Sequence, residues 1–146
     1  MKSYPLNKND VSELMLENGI TPTLQRVEIA QILFAKPQHL SAEEVLNMVN
    51  KTSVQVSKAT VYNTLGLFAK EGLIREVIVD PTKVFYDPTT VPHHHFYNVD
   101  TGTLMDIDAD TVVLERLPEL PEGTTAAGVD VIIRVRSETK TAAGKQ

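Results

Sequence analysis

The chain has 146 residues, enough for one medium domain or two small ones, with a net charge of −5 and no cysteine. The lack of cysteine excludes disulfides, thiolate-held zinc and thiol redox sensing, so any metal must be held by histidine and carboxylate, a donor set that favours Fe2+, Mn2+ or Zn2+. No apolar run nears the ~20 residues of a membrane span, and MKSYPLNKND lacks a signal peptide's apolar core, so a cytoplasmic protein with no membrane partner is expected.

The charge is unevenly placed. Residues 1–83 carry nine Lys/Arg and nine Asp/Glu; residues 84–146 carry five and ten, which accounts for the whole deficit. A basic patch in the first half is compatible with nucleic acid, although the global field is weak.

In chain order, Val11, Leu14 and Met15 mark a short amphipathic helix from Asp10 to Asn18, stopped at Gly19. Thr21-Pro22 has the form of an N-cap followed by proline at the first helical position, and Leu24, Val27, Ile29, Ile32 and Leu33 carry an apolar face to about Ala35. Ser41-Ala42-Glu43-Glu44 is a capping box that opens a third helix with Val45, Leu46 and Val49 inward. Ser57 opens a fourth, in which Val61, Leu65 and Phe68 recur at i, i+4 and i+7 and Gly72 ends the run. The period then changes to two. Leu73–Val79 and Val84–Tyr86 predict strands joined through Asp80-Pro81-Thr82-Lys83, and short helices closed by a hairpin are the pattern of a winged helix-turn-helix. The second half predicts a hairpin over 93–107, a helix from about Asp110 to Leu117 capped by Asp108 or Asp110, and a last strand Val129–Val135. Three strands leave an edge that needs cover, which a second copy would supply.

The fold class expected is therefore α+β: a winged helix-turn-helix domain at 1–86, a small αβ metal-binding and dimerisation domain at 87–137, and a disordered polar tail at 138–146.

The densest chemistry lies between Asp87 and Asp106. His93, His94 and His95 are consecutive, with Asp87 six residues before and Asp106 eleven after. In a strand, His93 and His95 share one face and His94 takes the other. Asp100-Thr101-Gly102 is a turn signal. A loop centred on Asp100-Thr101 sets Asp106 opposite His95, and one centred on Thr101-Gly102 sets it a diagonal away. Either register puts Asp106 on the face of His93 and His95, and two imidazoles with a carboxylate on one face is metal-ligand chemistry.

On the fourth helix, removing the core face leaves Lys58, Thr60, Tyr62, Asn63, Gly66 and Lys70. With Ser57 at the N-cap and Arg26 on the second helix, these residues are candidates for phosphate and base-edge contacts. Arg26, Lys58 and Lys70 are the candidate phosphate contacts.

The motifs TPTLQR at 21–26, KPQHLSAEEV at 36–45, SKATVYNTL at 57–65 and YD…HHHF…MDI at 86–107 resemble the ferric uptake regulator superfamily of metal-dependent bacterial repressors, over about residues 10 to 136. Within that superfamily, the set His39, Asp87, His93, His95 and Asp106 resembles the regulatory metal site of the peroxide-response regulators. The resemblance implies Fe2+ or Mn2+ there, with Zn2+ able to occupy it in purified protein. It also implies a homodimer on a double-stranded DNA operator of twofold symmetry, and peroxide sensing through metal-catalysed oxidation of a ligand such as His39 or His93. His39 enters through the resemblance alone. The family's four-cysteine zinc site cannot be carried over, because every cysteine is missing. The cysteine-free triple-histidine run is also similar to the iron response regulator branch, which implies an alternative iron- or haem-responsive role with His94 as an axial ligand or part of a second metal site. A non-haem iron oxygenase using two His and one carboxylate is the enzyme rival. Its usual barrel needs many more strands than this chain has, so no enzyme activity is expected.

Overall fold

A computed structural model describes residues 3–138, which divide into two units with the boundary between Thr90 and Val91. The expected tail lies outside the described residues except for Glu138.

The first unit opens with helix α1, Lys8–Glu17, where Asn7 and Asp10 form a reciprocal capping box. Helix α2 covers Leu24–Leu33, α3 covers Ala42–Val49 and α4 covers Lys58–Lys70. The Ser41–Glu44 capping box and the Ser57 N-cap form as the sequence implies. The start of α2 differs from expectation. Thr23, not Thr21, is the N-cap, its hydroxyl accepting from the Arg26 amide at 3.2 Å. Thr21 instead turns its carbonyl to the Arg26 guanidinium at 2.8 Å.

Val11, Met15, Ile29, Leu33, Phe34, Val45, Val49, Val61, Leu65 and Phe68 are fully buried and form one core with Leu73 and Ile74. Each large side chain buried here contributes about 1.5–3 kcal/mol relative to exposure. Burial of Val61, Leu65 and Phe68 commits one face of α4 inward and leaves Lys58, Tyr62, Asn63, Gly66 and Lys70 at the surface. After α4, Gly72 turns the chain at φ +84°, and the amides of Leu73 and Ile74 both bond back to the Phe68 carbonyl. Those two residues are spent on ending the helix, so the wing begins later than the apolar run suggests. Strand β1 is Arg75–Asp80 and β2 is Lys83–Asp87, antiparallel. Asp80 Oδ1 accepts from the amide and the hydroxyl of Thr82 and shapes the turn.

In the second unit, β3 (His94–Asn98) is the centre of a three-stranded sheet. It pairs antiparallel with β4 (Thr103–Ile107) and parallel with β5 (Ile132–Val135). The β3–β4 turn is held by Asn98 Oδ1, which accepts from the amides of Asp100 and Thr101, with Gly102 at φ +72°. The expected helix from Asp110 to Leu117 does not form. A single 3-10 turn, Ala109–Thr111, follows β4, with no side-chain cap from Asp108, and residues 112–131 run without helix or strand. Thr111, Val112 and Val113 are β-branched and stiff at χ1, no cap satisfies the first amides, and Pro118 stops propagation. The last strand is also shorter than expected. No helix among the described residues is long and apolar enough to cross a membrane.

Candidate metal centre and nucleic-acid interface

In the first unit, Leu40 and Tyr86 form an isolated antiparallel bridge, with paired backbone bonds of 3.1 and 2.7 Å. The bridge places His39, in the loop leading into α3, against the last residue of the wing, Asp87. His39 Nε2 lies 3.1 Å from Asp87 Oδ2, with the Asp87 side chain only 2% exposed. Asp87 Oδ1 accepts the Thr89 amide at 2.8 Å. An imidazole nitrogen and a carboxylate oxygen are therefore held ready by two elements of the helical unit.

In the second unit, the sheet register pairs His95 with Asp106. That is the arrangement expected for a turn centred on Asp100-Thr101. His93 Nε2 and His95 Nε2 lie 3.3 and 3.4 Å from the same oxygen, Asp106 Oδ1, and the two rings stand edge to face at 4.5 Å between centroids. His95 is fully buried and Asp106 is half exposed, so the cluster opens on the carboxylate side.

Hydrogen bonding separates the neighbouring rings. His93 Nδ1–H donates to the Val91 carbonyl at 2.7 Å, which turns Nε2 toward Asp106. That is the orientation an outer hydrogen bond imposes on a metal-ligating histidine. His94 does the reverse: its Nδ1 accepts the Val131 amide at 3.0 Å, so in the neutral ring Nε2 carries the proton. The Val131 carbonyl in turn accepts the His95 amide. His94 thus fastens the entry to β5, and its ring is as buried as that of His93.

The donor atoms fall into two sets: His39 with Asp87, and His93 with His95 and Asp106. All are nitrogen or oxygen, which fits Fe2+, Mn2+ or Zn2+ and not a soft thiolate-seeking ion.

The exposed side of α4 carries the other expected site residues. Ser57 Oγ accepts the Thr60 amide and donates to Thr60 Oγ1, so both hydroxyls serve the helix start. The Lys58 ammonium is 3.2 Å from Glu43 Oε1 and 5.9 Å from the Tyr62 ring centre. Tyr62 donates its hydroxyl to the same Glu43 oxygen at 3.4 Å. The hydrogen bond and charge of Glu43 raise the Lys58 pKa above its ordinary value. Tyr62 and Asn63 face solvent, whereas Arg26 is half buried and engaged with Thr21. Sequence patterning missed Glu43, which looks like an ordinary surface member of a capping-box turn; only the packing of α3 on α4 reveals what it touches.

Residues 17–131 match the model of the ferric uptake regulator family. The chain belongs to that family. It is 32% identical over 101 residues to the ferric uptake regulation protein of Synechococcus elongatus, covering 66% of this chain and 69% of that relative. It is 29% identical over 89 residues to the peroxide-responsive repressor PerR of Staphylococcus saprophyticus, covering 61% of this chain and 60% of that relative, less than two thirds of its length. The ferric uptake regulator from Pseudomonas aeruginosa with manganese superposes with a TM-score of 0.66 at 28% identity, over 92% of this chain and all of that one. A family member with both an α-helical winged unit and a small sheet unit agrees with the α+β fold expected from the sequence.

Proposed function

We propose that this family member is a cytoplasmic, metal-dependent DNA-binding transcriptional repressor, in which His39, Asp87, His93, His95 and Asp106 together hold one Fe2+ or Mn2+. The observation that carries the reading is the origin of the donors. Asp87 ends the wing and His39 precedes α3, so ligation would act on the two elements that flank the reading helix. The hairpin supplies the rest, with His93 and His95 already turned to one carboxylate oxygen. A divalent ion there supplies two positive charges that offset the two aspartates and, as Fe2+, one-electron reduction of a peroxide. Closing the two donor sets on one ion selects one spacing of the reading heads, a shift of population rather than a new fold.

DNA recognition falls to α4, with Ser57, Lys58, Thr60, Tyr62 and Asn63 at its leading end and Arg26 nearby. A second copy of the chain is the partner. Phe96, Met105 and Ile133 form one cross-strand row and are 36, 65 and 42% exposed. Leu114, Leu117 and Leu120 add apolar surface at a spacing of three in a segment punctuated by Pro118 and Pro121. Such a surface fits a twofold interface, and a twofold dimer calls for an operator of the same symmetry.

Relatives on both the iron and the peroxide side are similarly distant. The two-aspartate ligand set favours peroxide as the signal, and a +16 mass on His39 or His93 after Fe2+ and peroxide is its readout. For the function itself, Mn2+-loaded protein is used to select from a pool of random-sequence duplexes. Selected duplexes should be retarded with Mn2+ and released by chelator. Equal retardation with and without metal, or none at all, refutes the proposal.

A further inference from the structure

Glu43 touches the exposed face of α4 at its leading end, on two of the residues proposed for DNA contact. Its Oε1 is 3.2 Å from the Lys58 ammonium and 3.4 Å from the Tyr62 hydroxyl, and Lys58 lies over the Tyr62 ring. The three side chains are about half exposed, so the cluster is no buried structural pair. Isolated surface pairs of this kind add little to stability. The capping duty at the start of α3 belongs to Glu44, which bonds the Ser41 amide at 2.9 Å, so Glu43 is not needed to begin its own helix.

A carboxylate oxygen held by a lysine and a tyrosine hydroxyl is in the position a phosphate oxygen would take. Affinity for DNA of any sequence is set by lysine and arginine contacts to phosphate, whereas sequence is read on base edges. We propose that Glu43 is a specificity-determining residue of the reading face: in the DNA-free protein it occupies Lys58 and Tyr62 in place of phosphate, and duplex binding must displace it. It thereby removes one cation per protomer from the sequence-independent attraction and places a negative charge where a backbone phosphate would approach. A duplex that offers only its backbone gains little from Lys58. A duplex that also gives Tyr62 a base to contact recovers the cost of displacing the carboxylate, so the ratio of specific to non-specific binding rises. The inference rests on the DNA-binding reading above.

The test compares wild-type, Glu43→Gln, Lys58→Ala and the double variant, all full-length and Mn2+-loaded. The probes are a fluorescent non-operator duplex and a duplex selected by the wild-type protein, across a salt series. For the dimer, release of one further counterion per protomer, two in all, predicts a log–log salt slope steeper by about 1.8, and about thirtyfold tighter binding to non-operator duplex at 0.15 M salt, for Glu43→Gln. The gain should be smaller on the selected duplex and absent when Lys58 is alanine. Independently of DNA, the Lys58 ammonium followed by NMR should titrate at lower pH in Glu43→Gln than in wild type. Unchanged slopes, a gain that survives Lys58→Ala, or weaker binding of Glu43→Gln to every duplex would each overturn the inference while leaving the repressor reading intact. A wild-type protein that retains no duplex would overturn both.

Discussion

Replacing His39 with alanine separates a metal site shared by both units from one held by the hairpin alone. Without metal, the change deletes the donor 3.1 Å from an Asp87 carboxylate whose side chain is 2% exposed. A hydrogen bond to a buried charged group is worth about 1.5–3 kcal/mol, so the helical unit should lose about 2 kcal/mol of stability. For a unit of this size that is roughly a 10 °C fall in its melting temperature. With metal the comparison sharpens. Mn2+ at a hundred times its dissociation constant stabilises wild-type protein by about 2.7 kcal/mol. If loss of one imidazole weakens binding by about a hundredfold, the same Mn2+ concentration equals the new dissociation constant, and the gain falls to RT ln 2, about 0.4 kcal/mol.

Hydrogen exchange read by mass spectrometry reports where that loss is felt. In wild-type protein, Mn2+ should slow exchange across β3 and β4. In His39→Ala, the Mn2+-dependent slowing should largely vanish there, although the substitution is in the other unit. Full retention of Mn2+ protection in the hairpin would show that His93, His95 and Asp106 bind the ion alone, and the proposed coupling between wing and sheet would fail.

Other outcomes follow from the packing. Phe68→Ala empties a fully buried site in the helical core and should cost about 3–5 kcal/mol, seen as a lower denaturant midpoint for that unit. Gly72→Ala meets no neighbour within 4 Å but must adopt φ +84°, so it should destabilise by about 1–2 kcal/mol through the backbone alone. Met105→Glu puts a charge in the exposed row with Phe96 and Ile133; sedimentation should show monomer in place of dimer, with the hairpin's circular dichroism unchanged.

What could be taken from the sequence depended on how local the cause was. The Ser41–Glu44 box, the Ser57 cap and the inward stripe of α4 are each decided within a few residues, and all appear. The shared face of His93, His95 and Asp106 follows from strand parity, while the direct pairing of His95 with Asp106 is one of the two registers that the turn signal allowed. The meeting of His39 with Asp87 has no such local cause. It depends on a bridge between Leu40 and Tyr86, which are far apart in sequence, and no period or spacing announces such a bridge. The absent helix at 110–117 shows the opposite failure. Val113, Leu114 and Leu117 have helical spacing, but the apolar face finds no surface within its own unit and remains exposed, and tertiary burial is what stabilises short helices.

The histidine run shows a third limit. Parity assigns His93 and His95 to one face and His94 to the other, but parity does not say what a ring on either face can do. That is decided by which nitrogen the backbone occupies. The Val91 carbonyl accepts from Nδ1–H of His93 and turns Nε2 toward Asp106, whereas the Val131 amide donates to Nδ1 of His94 and places the proton of the neutral ring on Nε2. Two adjacent and chemically identical side chains are thereby given different work, one turned toward the aspartate cluster and the other holding the last strand in place. The hydrogen-bonding group that decides the second assignment is 37 residues away.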